Sequence, residues 1–413
     1  MHRVVITGRG IASPLGNEVD EFWSNLKKGV SGITTIDSFD VSQFGTRIAG
    51  LVRNFDSEEL FGRKEARKMD RFCQFGLYAA KQAVHDAELP LDKIDLERLG
   101  VYVGTGIGGI QTLTDNYDAF LKRGPGRVSP SLVPMMISNM AASQISIHFG
   151  AKGPTLSPVT ACSIGNTAIG EAFRLIRYGE ADVIIAGGTE AAIHPISLAS
   201  FGNATALSKR NDDPKTASRP FDKDRDGFVM AEGAGIVVLE SLEHAMKRGA
   251  KIYGEVIGYG ASSDAYHVVA SHPQGDGALL AMKRALQSAS IDPLDIDVVS
   301  AHATSTEVGD LAETNALKRL LGDQATKVPI TANKSMLGHM FGAAGGVEAI
   351  ALIESLREGI IPPTINLNNA DMECDLDYVP NHARSANLNV GLSNSFGFGG
   401  HNAAIVLKKF SEA

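Results

Sequence analysis

Short, unbroken apolar runs punctuated by glycine alternate along this chain with helical stretches, and that alternation constrains the fold more than any other feature. Val4-Val5-Ile6-Thr7-Gly8 opens the sequence, and a similar phrase returns at Glu255-Val256-Ile257-Gly258. Leu99–Gly104 and Ile296–Ala301 each read as a strand leading into a loop of small residues. Helical stretches begin near Cys162 and near His339, with apolar residues three and four apart as in an amphipathic helix. Strand-like text closes each part at Ala181–Gly188, Ala234–Leu239 and Ala403–Leu407. Strands that are apolar on both faces need cover on both faces, so the chain reads as a layered α/β protein. The repetition suggests two similar units, residues 1–251 and 252–413.

Composition removes several classes. With 413 residues, 44% apolar and 21% charged, the chain is neither disordered, collagen-like nor a coiled coil. A net charge of −8 argues against a nucleic-acid binder held by counterion release. No apolar run approaches the roughly 18–20 residues of a membrane span, and the opening apolar stretch is too short for a signal peptide. Three distant cysteines, Cys73, Cys162 and Cys374, fit neither a disulfide framework nor a metal ligand set, so the expected location is cytoplasmic.

Two motifs mimic known sites. Gly104–Gly109 spells G-x-G-x-x-G after a strand, but no second strand ending in an acid follows about 20 residues on. It reads as a glycine-rich turn where backbone passes close to another element. Asp222–Gly227 opens like a calcium loop, yet Gly233 stands where the bidentate acid belongs, so an ion-paired turn is expected.

The reactive residues lie elsewhere. Cys162, in Thr160-Ala161-Cys162-Ser163-Ile164-Gly165, opens a helix, where free N–H groups and the helix dipole favour thiolate. A lone cysteine is more often a small buried hydrophobe, as Cys73 reads in its own helix. His302 follows a strand among small hydroxyl residues, and His339 sits among glycines at a helix start, where an imidazole N–H can meet a developing oxyanion. Lys334 and Glu348 either pair to orient the imidazole or are ordinary surface charges. Asn394–Asn402 packs glycines around Phe396 and Phe398, as a tight turn or a mobile aromatic gate would. A Cys/His/His set beside a glycine loop suggests acyl transfer through a thioester.

Taken in order, Thr160-Ala161-Cys162, Ala186-Gly187-Gly188-Thr189-Glu190, Arg219-Pro220-Phe221-Asp222, Ser262–His267, Lys334-Ser335-Met336 and Ser395–Gly400 resemble the β-ketoacyl-[acyl carrier protein] synthases, the type II condensing enzymes of fatty-acid synthesis. The resemblance spans essentially the whole chain. It implies a thiolase-like duplicated fold in five layers, α-β-α-β-α, with a cap or dimerisation insertion in the first half and a homodimeric assembly. It also implies that Cys162 takes the acyl group, that His302 and His339 stabilise the enolate formed as malonyl carrier protein loses carbon dioxide, and that Lys334 and Glu348 organise the histidines. The N–H groups of Cys162 and Phe398 would form the oxyanion hole. Ile107, Phe201, Thr304, Thr306, Phe396 and Phe398 would contact the acyl chain or the phosphopantetheine arm. That arm arrives on acyl carrier protein, so neither a metal nor a tightly bound cofactor is implied.

Carrier proteins of this kind are acidic and need a basic landing site. Lys64, Arg67, Lys68 and Arg71 are spaced to share one helix face, with Arg63 alongside, as carrier docking or a plain solvated face would require. Ser163-Ile164, Ala303, His401 and Leu132 depart from the commonest class II residues and bear on chain-length class. A class I-like long-chain synthase or a polyketide ketosynthase would use the same chemistry. A thiolase needs a second cysteine in the terminal glycine loop, which has none. A chain-length partner lacks the nucleophile that Cys162 supplies.

Overall fold

The computed structural model describes residues 1–411. Ten strands form its main sheet: β1 (Val4–Ala12), β2 (Leu99–Gly104), β3 (Thr155–Leu156), β4 (Val183–Glu190), β5 (Gly233–Ser241), β6 (Gly254–Ser263), β7 (Val298–Ser300), β8 (Ile330–Thr331), β9 (Val390–Gly397) and β10 (His401–Lys408). Their order across the sheet is β8-β7-β9-β10-β6-β1-β5-β4-β2-β3. Read from each outer edge inward, both halves place their strands in the order third, second, fourth, fifth, first. Pairing repeats as well: the first and fifth strands, and the fifth and fourth, are antiparallel, whereas the inner and outer edge pairs are parallel. Within the sheet the halves meet where Val4, Val5 and Ile6 pair with Val256, Glu255 and Gly254.

Six helices are placed by the faces they must bury. α1 (Arg71–Asp86) and α3 (Met140–Phe149) pack on the first five strands from outside. α5 (Asp276–Ala289), with α6 (Glu307–Leu321) beside it, covers the second five. Between the halves lie α4 (Ile164–Arg177) and α7 (Ala344–Glu358), each touching strands of both. The sequence therefore folds into the five layers expected of the thiolase-like architecture. α4 keeps the amphipathic character that its spacing predicts, with Arg174 on an exposed edge. α7 does not: every residue from Ala344 to Leu356 is buried, because sheets close over both of its sides.

α2 (Ile110–Arg123) belongs to an excursion between β2 and β3 that leaves large apolar side chains in the open, Tyr117, Leu121 and Val133 among them. Among the described residues, no helix is long and apolar enough to cross a membrane.

Candidate active site

The starts of α4 and α7 meet at glycines. A Cβ on Gly165 would sit 2.4 Å from the nitrogen of Gly346 and 2.7 Å from Cα of Gly345, so only hydrogen fits there. That contact brings the turn Ala161–Ser163, with Cys162, against the loop that carries His339. His302 comes in from the end of β7. Cys162, His302 and His339 line one cavity of about 340 Å³, with Phe201, Phe396 and Phe398 on its apolar walls and Thr304 and Thr306 at its polar end.

Cys162 is held by strained and crowded backbone. Ala161 lies at φ 51°, in the left-handed region that a Cβ disfavours. A Cβ on Gly397 would meet Thr160 O at 2.6 Å and Cys162 N at 3.0 Å, so the Phe398 loop presses its backbone directly onto the nucleophile turn. The N–H groups of Phe398 and Cys162 favour the charged form of the sulfur. Burial nevertheless pushes the thiol up to about 12, although the Lys334 charge and those two N–H groups pull it down. The helix-start argument for a resting thiolate is thus corrected. The favourable groups are present, but burial outweighs them.

Both imidazoles are buried, and their ring centroids lie 5.4 Å apart at 87°. Burial, reinforced by the Lys334 charge, holds both well below the usual histidine range, so both are neutral at pH 7. Lys334 donates to Glu348 Oε1 at 2.5 Å, and its Nζ stands 3.5 Å from Nδ1 of His302. The two charges are therefore a buried pair, not surface ornaments. Burial raises Glu348 to about 7 against the pull of Lys334. The lysine orients His302, whereas His339 is fixed through its backbone: its N–H donates to Val229 O at 2.7 Å and its C=O accepts from Ala231 N–H at 2.9 Å. Phe228 and Phe341 pack on its ring.

The remaining predicted contacts gather around these three. Phe201 stacks on Phe341 at 5.3 Å and lies 6.4 Å from Phe398, while Phe396 meets the edge of His302 at 5.6 Å. Phe398 itself is 39% exposed, at the cavity's rim. The Thr304 and Thr306 hydroxyls are 3.1 Å apart. Ile107 lines this cavity and also a second apolar depression of about 320 Å³, between Leu113, Met136 and Val159.

The basic run departs from expectation. Lys64, Arg67, Lys68 and Arg71 do not share one helix face, because a four-residue helix, Arg63–Ala66, ends before a turn and α1 starts afresh at Arg71, capped by Asp70. Arg63, Lys64 and Arg67 line one shallow surface depression, and Lys68 pairs with Glu65. Arg71 turns inward to the buried Glu232 at 3.1 Å.

Sequence reasoning missed Glu313. It is buried and accepts from the N–H groups of His302 (2.9 Å) and Ala303 (2.8 Å) and from Asn394 (3.0 Å), which fixes the His302 loop. An acid in phase with Leu317 and Leu320 on a helix was the available signal. Both mimicking motifs resolve as expected. Gly104–Gly109 is a close-packed turn, and Asp222 is satisfied by Arg219 and the N–H groups of Asn368 and Asn369.

Comparison with known proteins agrees with this geometry. Residues 1–245 match the model of the β-ketoacyl synthase N-terminal domain, and residues 253–368 that of the β-ketoacyl synthase C-terminal domain. A 3-oxoacyl-[acyl-carrier-protein] synthase 2 from Synechocystis is 50% identical over 408 residues, covering 99% of this chain and 98% of that protein. A β-ketoacyl synthase from Burkholderia phymatum superposes with a TM-score of 0.93 at 34% identity, covering all of both chains. AntDE:AntF, a type II PKS acyl-carrier protein in complex with its ketosynthase bound to the hexaketide, superposes at 0.91 with 35% identity, covering 99% of this chain and 100% of that one. A duplicated five-layer fold that joins Cys162 to two histidines, matched by both family models and by relatives along its length, belongs to the β-ketoacyl synthase family.

Proposed function

We propose that this chain is a 3-oxoacyl-[acyl-carrier-protein] synthase that lengthens fatty acyl chains by two carbons. The observation that carries this reading is the convergence of Cys162 with two neutral imidazoles in one apolar cavity. The Cys162 sulfur attacks the thioester of an acyl carrier protein, and the N–H groups of Cys162 and Phe398 receive the tetrahedral oxyanion. The carrier's thiol leaves with the proton. Malonyl carrier protein then extends its arm past Thr304 and Thr306. A protonated Lys334 can only donate, so His302 accepts at Nδ1 and keeps its proton on Nε2. That Nε2–H, with its counterpart on His339, holds the malonyl thioester oxygen as carbon dioxide departs. The resulting enolate carbon attacks the Cys162 thioester, and the sulfur is expelled to give the β-ketoacyl carrier protein.

Ile107 limits the acyl chain: it partitions the main cavity from the depression beyond, so a longer chain must displace it. Arg63, Lys64 and Arg67 suit an acidic carrier surface. The second copy of a homodimer would cover the exposed apolar side chains around Tyr117, Leu121 and Val133 together with the edge strand β3. Three free cysteines suit a reducing cytoplasm. The units 1–251 and 252–413 would each supply one side of the site.

The test is intact mass and peptide mapping after incubation with dodecanoyl and hexadecanoyl carrier proteins. An acyl mass on Cys162 supports the reading, and the preferred chain separates a fatty-acid role from a polyketide one. Folded protein that takes neither chain overturns it.

A further inference from the structure

One buried carboxylate outside this reaction scheme ties two loops of the site together. Glu190 ends β4 and is fully buried. Its Oε1 accepts from the Thr105 hydroxyl at 2.8 Å and from Ile107 N–H at 3.2 Å. Its Oε2 accepts from Gly106 N–H at 2.8 Å and from Gly342 N–H at 3.1 Å. Burial raises this carboxyl above its usual range, while the four donors, which between them occupy both oxygens, pull it back toward the charged form.

The donors come from two places that matter separately. Thr105, Gly106 and Ile107 form the loop whose Ile107 partitions the two cavities. Gly342 follows His339 by three residues, next to the Phe341 ring that packs on that histidine. Nothing larger than hydrogen fits between these loops. A Cβ on Gly106 would lie 2.9 Å from Glu190 Oε2, and one on Gly342 would lie 2.9 Å from Gly106 N. The glycines of the G-x-G-x-x-G run therefore bring backbone to a carboxylate, where a nucleotide-binding loop would bring it to phosphate.

We propose that Glu190 is a positioning residue: it fixes the Ile107 partition relative to the histidine loop and thereby sets which acyl chain lengths are condensed. The inference rests on the condensing reading above. A chain that displaces Ile107 must move N–H groups whose acceptor is shared with Gly342, so entry of a long chain works against the register of the His339 loop. A short chain leaves the shared carboxylate undisturbed.

The test compares kcat/KM for condensation of hexadecanoyl and octanoyl carrier proteins with malonyl carrier protein in wild type and Glu190→Gln. The amide keeps the size of the acid but turns an NH₂ toward the two donors that one carboxylate oxygen had accepted from, which loosens the tie. The hexadecanoyl-to-octanoyl ratio should rise about threefold or more. A ratio that rises less, or falls, overturns the proposal even if both rates drop, because a merely structural defect slows both chains alike. Should Glu190→Gln fail to fold, Thr105→Val, which removes only the hydroxyl on the partition side, is scored by the same ratio. Wild-type protein that condenses neither chain would instead sink the condensing reading.

Discussion

Nζ of Lys334 stands 3.5 Å from Nδ1 of His302, and in that contact only the lysine can donate. The same ammonium is, among the described residues, the sole partner of Glu348 Oε1, so one side chain both sets a histidine tautomer and neutralises a buried acid.

Lys334→Ala separates those two duties. It strands Glu348 in the interior, and unfolding in urea should show a loss of about 3–5 kcal/mol. Malonyl decarboxylation should fall by about 10²-fold as the His302 donor loses its orientation. The double variant Lys334→Met/Glu348→Leu should recover the urea midpoint without recovering decarboxylation. Recovery of both would reduce the lysine to a structural role.

Neutral histidines carry a pH signature. His302 and His339 are held well below their ordinary value, so at mildly acid pH the unfolded chain binds protons that the native chain refuses. Stability contributed by each neutral ring is present above the unfolded-state value near 6.5 and is lost as pH falls below it, by about 1.4 kcal/mol per pH unit for each ring until the native ring also protonates. Denaturation at pH 7.5 and 5.5 should show a shallower acid loss in His302→Asn and in His339→Asn than in wild type. Equal slopes would mean that the native rings titrate as they do in the unfolded chain.

The thiol of Cys162, pushed up to about 12, predicts slow chemistry in the resting enzyme. Alkylation by iodoacetamide, followed on the Cys162 peptide, should keep accelerating as pH rises and show no plateau near neutrality. A plateau at pH 7 would reveal a preformed thiolate and a site more polar than the cavity walls suggest.

The basic residues should divide by what they touch. Charge reversal at Lys64 and Arg67 should raise KM for the carrier by about tenfold, most strongly at low salt, with kcat little changed. Arg71→Glu should instead lower the thermal midpoint, because Glu232 loses its partner. A pure KM effect at Arg71 would return it to the docking surface.

What could be read in advance, and what could not, follows from how each feature is encoded. Strands such as Val183–Glu190 and the glycine-flanked Cys162, His302 and His339 announce themselves through local composition. Glu190 and Glu313 do not, because a buried acid takes its meaning from donors that lie up to 152 positions away in the chain, as with Gly342. Burial of Cys162 is likewise a property of neighbours brought by other elements. The break in the basic run was partly legible: Asp70 stands just before the apolar periodicity of Arg71–Asp86, where a cap belongs, and it outweighs the regular spacing of the lysines and arginines.

The meeting of Gly165 with Gly345 and Gly346 has a consequence for how such a protein can change. Each half repeats the same strand order, yet the sulfur stands on one and both imidazoles on the other, so the reaction belongs to a seam and to neither copy. Elsewhere the copies are free to drift apart, and the excursion after β2 is an example of that drift. At the seam a single added methyl group would part nucleophile from proton donors, so descent there must proceed in step on both sides.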